Sequence, residues 1–229
     1  MNEAEWLACT DPDRMLFYLR GKVSDRKLRL FAAACCRLIW PLLTDERSQR
    51  AVEIAERYAD GRATPRERAS AGKRALDAAP RRGGPAAWAA YWAVSRSAAD
   101  TVWNVAAAAT EAASRAAVGD ARIGRADEVA AWDVGRAAGS REQAALLRDI
   151  VGNPFRPAAV ERSWLAWNDG AVRKIAQTIY NEGRFGDLPL LADALEDAGC
   201  TDADVLTHCR TPGEHVRGCF AVDLLTGKP

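Results

Sequence analysis

The chain has no apolar run approaching the roughly 20 residues that span a bilayer. It has no secretory-signal pattern either, because Arg14, Arg20, Lys22, Arg26, Lys27 and Arg29 interrupt every apolar stretch before Phe31. These absences exclude a membrane-spanning protein, and we expect a cytoplasmic one whose cysteines are reduced. Neither charge is in excess: 32 basic and 31 acidic residues leave a formal net charge of +1. A dedicated duplex-binding protein is usually more basic. A hydrophobic content of 48% is too high for a solvated disordered chain. No stretch longer than a few residues alternates apolar and polar, and β-branched residues are sparse, which leaves little material for strands. There is no glycine-rich phosphate loop, because Arg82-Gly83-Gly84 lacks the flanking strand and the spaced glycines. No paired set of i, i+3 or i, i+4 carboxylate–histidine motifs points to a di-metal bundle.

What is present in abundance is alanine, the best intrinsic helix former. The expected fold is all-α: an irregular multi-helix bundle of short capped helices with a long Ala-rich central helix. Asp11-Pro12 offers an N-cap with proline at the first helical position. Ser24 caps a helix with an apolar stripe of Leu28, Phe31, Cys35, Leu38, Ile39 and Leu42, limited by Pro41. Thr44 starts the next, and Thr64-Pro65-Arg66-Glu67 is a capping box for a helix to Ala79. The Pro80–Pro85 stretch is a breaker. It suggests an N-terminal helical subdomain over 1–80 and an Ala-rich body over 81–229. Residues 86–118 read as one long helix or two joined end to end. Ser140 and Gln143 form a second capping box, after a helix that fades near Gly135 and Gly139. Gly152-Asn153-Pro154-Phe155-Arg156-Pro157 is an ordered loop pinned by Phe155. Short helices follow, the last from about His215 to Leu225.

Both histidines and half of the six cysteines lie in Cys200, His208, Cys209, His215 and Cys219. Thiolate and imidazole are the donors best suited to zinc. His215 and Cys219 share one face if they lie on a helix, Cys209 lies across Thr211-Pro212-Gly213, and Cys200 or His208 completes a four-ligand set. The plainer reading is preferred, because C-x-x-C, the commonest seed of structural zinc sites, is missing. In it the cysteines are buried hydrophobes, His208 complements a helix C-terminus and His215 bonds a backbone group. A Cys–His nucleophile built from Cys209 or Cys219 with His215, oriented by Asp223 or Glu214, needs an electropositive niche that the sequence does not offer. Arg210 and Arg217 read as ordinary surface.

The basic segment 62–82 offers Arg66, Arg68, Lys73, Arg74, Arg81 and Arg82 to nucleic acid. It has no interleaved aromatics, so a solvated face is preferred. Of the eight tryptophans, Trp164 and Trp167 precede Asn168-Asp169-Gly170 and form the pair expected to be exposed for a partner.

Several segments together carry a resemblance. They are Glu5-Trp6-Leu7-Ala8-Cys9-Thr10-Asp11-Pro12 with Arg26-Lys27-Leu28-Arg29-Leu30-Phe31-Ala32, Cys35-Cys36-Arg37, and Gly152-Asn153-Pro154-Phe155-Arg156-Pro157. To these are added the run from Leu188 to Cys200 and His215-Val216-Arg217-Gly218-Cys219. The chain resembles an uncharacterised family of paralogues abundant in planctomycete bacteria. The resemblance covers both ends of the chain but not the alanine-rich middle. It implies a cytoplasmic accessory protein and transfers no catalytic residue. Position 220, where it leads us to expect tryptophan, is Phe220. The leading expectation is a non-enzymatic protein-interaction or regulatory module that binds another protein. A small zinc-stabilised domain and a nucleic-acid accessory factor are the alternatives.

Overall fold

The computed structural model describes residues 1–82, 84–119 and 125–228, with backbone alone for 80–82, 125 and 126. All regular structure among the described residues is helical. In chain order the helices begin with α1 (Glu3–Ala8), α2 (Pro12–Leu19), α3 (Asp25–Leu38), α4 (Glu46–Ala59), α5 (Pro65–Arg82), α6 (Gly84–Ala93) and α7 (Ala98–Val118). They continue with α8 (Arg125–Val151), α9 (Arg162–Ala166), α10 (Ala171–Glu182), α11 (Leu188–Asp197), α12 (Ala203–Arg210) and α13 (Phe220–Thr226). The chain forms two compact units, one of Cys9–Ala145 and one joining Met1–Ala8 to Leu146–Pro229. Neither junction falls at residue 80. The Pro80–Pro85 stretch lies inside the larger unit, where Pro80 costs α5 one backbone donor near its end without stopping it.

In the larger unit three of the capping signals act as read. Asp11 accepts from the amides of Asp13 and Arg14, and Ser24 accepts from that of Lys27. Thr64 and Glu67 close their box, with the Thr64 amide 2.6 Å from the Glu67 carboxylate. Helix α4 is capped by Asp45 rather than Thr44. Met15, Leu16, Leu19, Leu30, Phe31 and Val52 are buried against a layer of alanines. The 86–118 stretch, read as one long helix or two joined end to end, is two helices folded as a hairpin, with α6 and α7 packed against each other. The break has a physical cause: buried Arg29 donates to the carbonyls of Ala93, Ser95 and Arg96, and Arg68 donates to Val94. Two guanidiniums thus satisfy backbone acceptors where the helix stops, and Ser97 caps the next one.

A second correction concerns α8, which runs unbroken through Gly135, Gly139 and Ser140. The Ser140–Gln143 capping box does not form. Gln143 is buried and donates instead to the Ala106 carbonyl and the Thr110 hydroxyl. Gly135 is there for close approach, since a Cβ at this position would lie 2.9 Å from both Ser114 Cα and Ala117 Cβ on α7. A Cβ at Gly139 meets Thr110 only at an ordinary 3.7 Å. Gly139→Ala is therefore expected to stabilise by up to about 1 kcal/mol through helix propensity. Gly135→Ala is expected to destabilise, because overpacking typically costs about 1–3 kcal/mol. Urea unfolding of the two variants checks the pair, and equal stabilisation by both would contradict the close α7–α8 contact.

The smaller unit packs α9–α13 around Trp164, Val172, Ile179, Tyr180, Leu188, Leu191, Leu195, Val205, Val222 and Leu225. Cys200, Cys209 and Cys219 belong to this core, and all six cysteines are free. Gly152 ends α8 with φ +72°.

Candidate metal centre

Four side chains of the smaller unit converge. Asp149 lies in the last turn of α8 and His208 in the last turn of α12. His215 lies in the loop after Thr211-Pro212-Gly213, and Cys219 is the N-cap residue of α13. One ligand atom from each of the four falls within 4.8 Å of all the others. His215 Nδ1 is 2.6 Å from Asp149 Oδ1, and His208 Nε2 is 3.2 Å from the same oxygen. His208 Nε2 is also 3.2 Å from Cys219 Sγ. A tetrahedral zinc with bonds of 2.0–2.3 Å spaces its donors by about 3.3–3.8 Å, a spacing that the 2.6–4.8 Å between these atoms brackets.

The surroundings orient these groups. His215 Nε2 lies 3.2 Å from the Thr211 carbonyl, which only accepts, so Nε2 carries the hydrogen. Nδ1 then faces the Asp149 oxygen and needs either a second proton or a cation between them. Asp149 Oδ2 accepts from the Val216 amide at 3.0 Å. Backbone partners of this kind fix the tautomer and orientation of metal-binding imidazoles and carboxylates. The Phe220 ring covers His208, with centroids 4.4 Å apart. The four side chains are 0–17% exposed, so the group is shielded yet reachable from the histidine side.

Electrostatics follow from this geometry. Burial pushes the Asp149 carboxyl up, but hydrogen bonds from His208 and His215 outweigh it and hold the group below its usual range. Burial pulls the His215 imidazole down, but the bond to Asp149 and its charge outweigh that and raise it. Burial, then the Asp149 charge, push the Cys219 thiol well above its usual range, and the same two causes push Cys209 up to about 12. In metal-free protein the lowered Asp149 stabilises above its unfolded pKa, and this contribution fades as pH falls through its folded value. The raised His215 stabilises below its unfolded pKa, and its contribution fades as pH rises through its folded value. Metal-free stability should therefore be highest between about pH 4 and pH 6.5, the ordinary carboxylate and imidazole values. Denaturation midpoints across pH in a chelating buffer check this; a stability still rising above neutrality would contradict it.

A nucleophilic triad is not what these residues build. An orienting acid must hold the imidazole nitrogen opposite the nucleophile, whereas here His208 Nε2 faces both Asp149 and Cys219. The thiol is fully buried and not activated. His215, expected beside a cysteine, has its two nitrogens on Asp149 and Thr211. Arg210 pairs with Asp193 and Glu196, and Arg217 donates to the Tyr180 carbonyl.

Of the five residues singled out in sequence, His208, His215 and Cys219 come together. Cys200 and Cys209 are core residues outside the donor group. His215 and Cys219 do not share a helical face, because α13 begins only at Phe220 and the loop brings them in. Asp149 is the donor that sequence reading missed, for it lies far upstream in an apolar helix end. One signal was there: a carboxylate in a last turn opposes the helix dipole and asks for a cation.

The other expected sites fare differently. Trp164 is 3% exposed in the core and Trp167, half-buried, packs against that core, so the two do not form the exposed pair expected. Asn168 and Asp169, both at positive φ, turn the chain between α9 and α10 there. In the basic segment Arg66, Lys73 and Arg74 are exposed, whereas Arg68 turns inward to Val94 and the Tyr58 ring. The side chains of Arg81 and Arg82 lie outside the described residues. Glu46 and Glu67 interleave with Arg47, Arg50, Arg66 and Arg74 along the groove of α4 and α5, which weakens it as a phosphate track. No helix of the described residues is long and apolar enough to cross a membrane. Comparison with protein-family models, curated proteins and solved structures finds no match to this chain.

Proposed function

We propose that the chain is a non-enzymatic accessory module whose smaller unit is held together by one zinc ion on Asp149, His208, His215 and Cys219. We include in this proposal its membership of the planctomycete paralogue family that its end segments resemble. The observation that carries the zinc reading is the convergence of one thiol, two imidazoles and one carboxylate within 4.8 Å. Sulfur and nitrogen donors favour zinc over magnesium or calcium, which take oxygen. Four protein ligands make a closed, structural site, whereas catalytic zinc keeps a position open. Charge supports the same ion: an aspartate and a thiolate against Zn²⁺ with two neutral imidazoles give a neutral centre, which a buried site favours. Without the ion, burial and the Asp149 charge keep the thiol protonated.

Zinc binding must expel the Cys219 proton and compete with protons for His215, so affinity should rise with pH, opposite to the metal-free stability above pH 6.5. Calorimetric titration in buffers of different ionisation enthalpy should show net proton release on zinc binding at neutral pH, the Cys219 proton at the least. Binding with no proton release would rule out the thiolate. The reading itself is tested by elemental analysis of protein purified without added metal, paired with a thiol count. One equivalent of zinc, lost in Cys219→Ala and His215→Ala but kept in Cys200→Ala, is expected. Zinc-free protein that takes up no zinc on titration would end it.

A further inference from the structure

Resting on that reading, we infer that occupancy of the zinc site is coupled to docking of the N-terminal helix α1, so that the ion acts as a latch on residues 1–8. Helix α1 has only six residues. Isolated helices shorter than about 12–15 residues are marginal in water, so α1 depends on what holds it. Its anchors lie between Arg148 and Arg156, around the ligand Asp149. Trp6 is fully buried, its Nε1–H donates to the Gly152 carbonyl at 3.1 Å, and its own carbonyl accepts from Arg148 at 3.2 Å. Glu3 accepts from Asn153 and from Arg156, each at 2.6 Å.

Two connections join these anchors to the donors. The first is covalent: Asp149 occupies the same last turn of α8 as Arg148 and leads directly to Gly152. The second is packed: the ring on His208 is that of Phe220, the residue after Cys219, and it presses on Gly152 so closely that a Cβ there would sit 2.9 Å from its Cγ. The Gly152 carbonyl is the one that holds Trp6. An ion that draws Asp149, His208 and Cys219 to one point therefore fixes the turn of α8 and the ring that frames the Trp6 acceptor. Losing it loosens both. Linkage makes the effect reciprocal: whatever factor zinc adds to docking, docking adds to zinc affinity.

Hydrogen exchange read by mass spectrometry on the full chain, zinc-loaded and chelator-treated, tests this. Amides of residues 3–8 should exchange about 10-fold faster without zinc, within the roughly 5–150-fold span of coupled sites, while α4 and α7 stay unchanged. Trp6→Phe keeps a ring and removes the indole donor. Glu3→Gln, at a half-buried position, keeps the side-chain volume and weakens the second anchor. Each should lower zinc affinity. If zinc binds one to one on the four donors yet exchange in residues 3–8 is the same with and without it, the coupling is wrong and the zinc site stands. If no zinc binds at all, both fall.

Discussion

Asp149→Ala should unfold the smaller unit at markedly lower denaturant and abolish stoichiometric zinc. The carboxylate is 5% exposed and serves two imidazoles and the Val216 amide at once. Removing one partner of a buried pair leaves the other uncompensated, which typically costs about 3–5 kcal/mol. Asp149→Asn keeps the volume and an acceptor for Val216 but removes the negative charge, so it should cost less stability while still weakening zinc. Urea unfolding near pH 5.5, where the His215 contribution is intact, compares the two variants with the parent. A loss below about 1 kcal/mol for Asp149→Ala, as for a surface change, would mean that the carboxylate is not the hub of this cluster.

Gly152→Ala should cost clearly more than the same change at Gly183, another left-handed glycine of the smaller unit. The Gly152 φ of +72° disfavours any side chain, and the new Cβ would stand 2.9 Å from the Phe220 ring. Left-handed backbone costs about 1–2 kcal/mol for a residue with a Cβ. Displacing a packed ring adds about 1–3 kcal/mol. Gly183 separates the two terms, since its φ is +70° but nothing lies within 4 Å of its Cβ position. Gly183→Ala should therefore show the backbone cost alone. Gly152→Ala should exceed it and also lower zinc affinity, because the displaced ring is the one over His208. Equal losses in the two variants would show that Phe220 yields freely and transmits nothing.

What the sequence made legible follows the range of the interactions involved. Local signals worked where the chemistry is local. The Asp11 and Ser24 caps, the Thr64–Glu67 box and the all-α class are written in neighbouring residues. Local signals failed where a distant partner decides. Gly135 looks like a break until α7 is seen to need its missing Cβ. The 86–118 stretch looks continuous until Arg29 and Arg68 arrive to cap its carbonyls. Trp164 looks exposed beside a polar turn, yet it lies in the core, with Trp167 half-buried against it. The candidate site divides along the same line. His208, His215 and Cys219 were legible as zinc-type donors crowded in sequence. Asp149 was not, because its role depends on a contact sixty-odd residues away that spacing cannot report. Its position against the helix dipole was the one local trace of that contact.

The most direct measurement is X-ray absorption at the zinc edge of the loaded full chain. One sulfur at about 2.3 Å and three nitrogen or oxygen neighbours at about 2.0–2.2 Å are predicted, with the sulfur shell lost in Cys219→Ser. A shell of light atoms alone, or of two or more sulfurs, would contradict a centre made of Asp149, His208, His215 and Cys219.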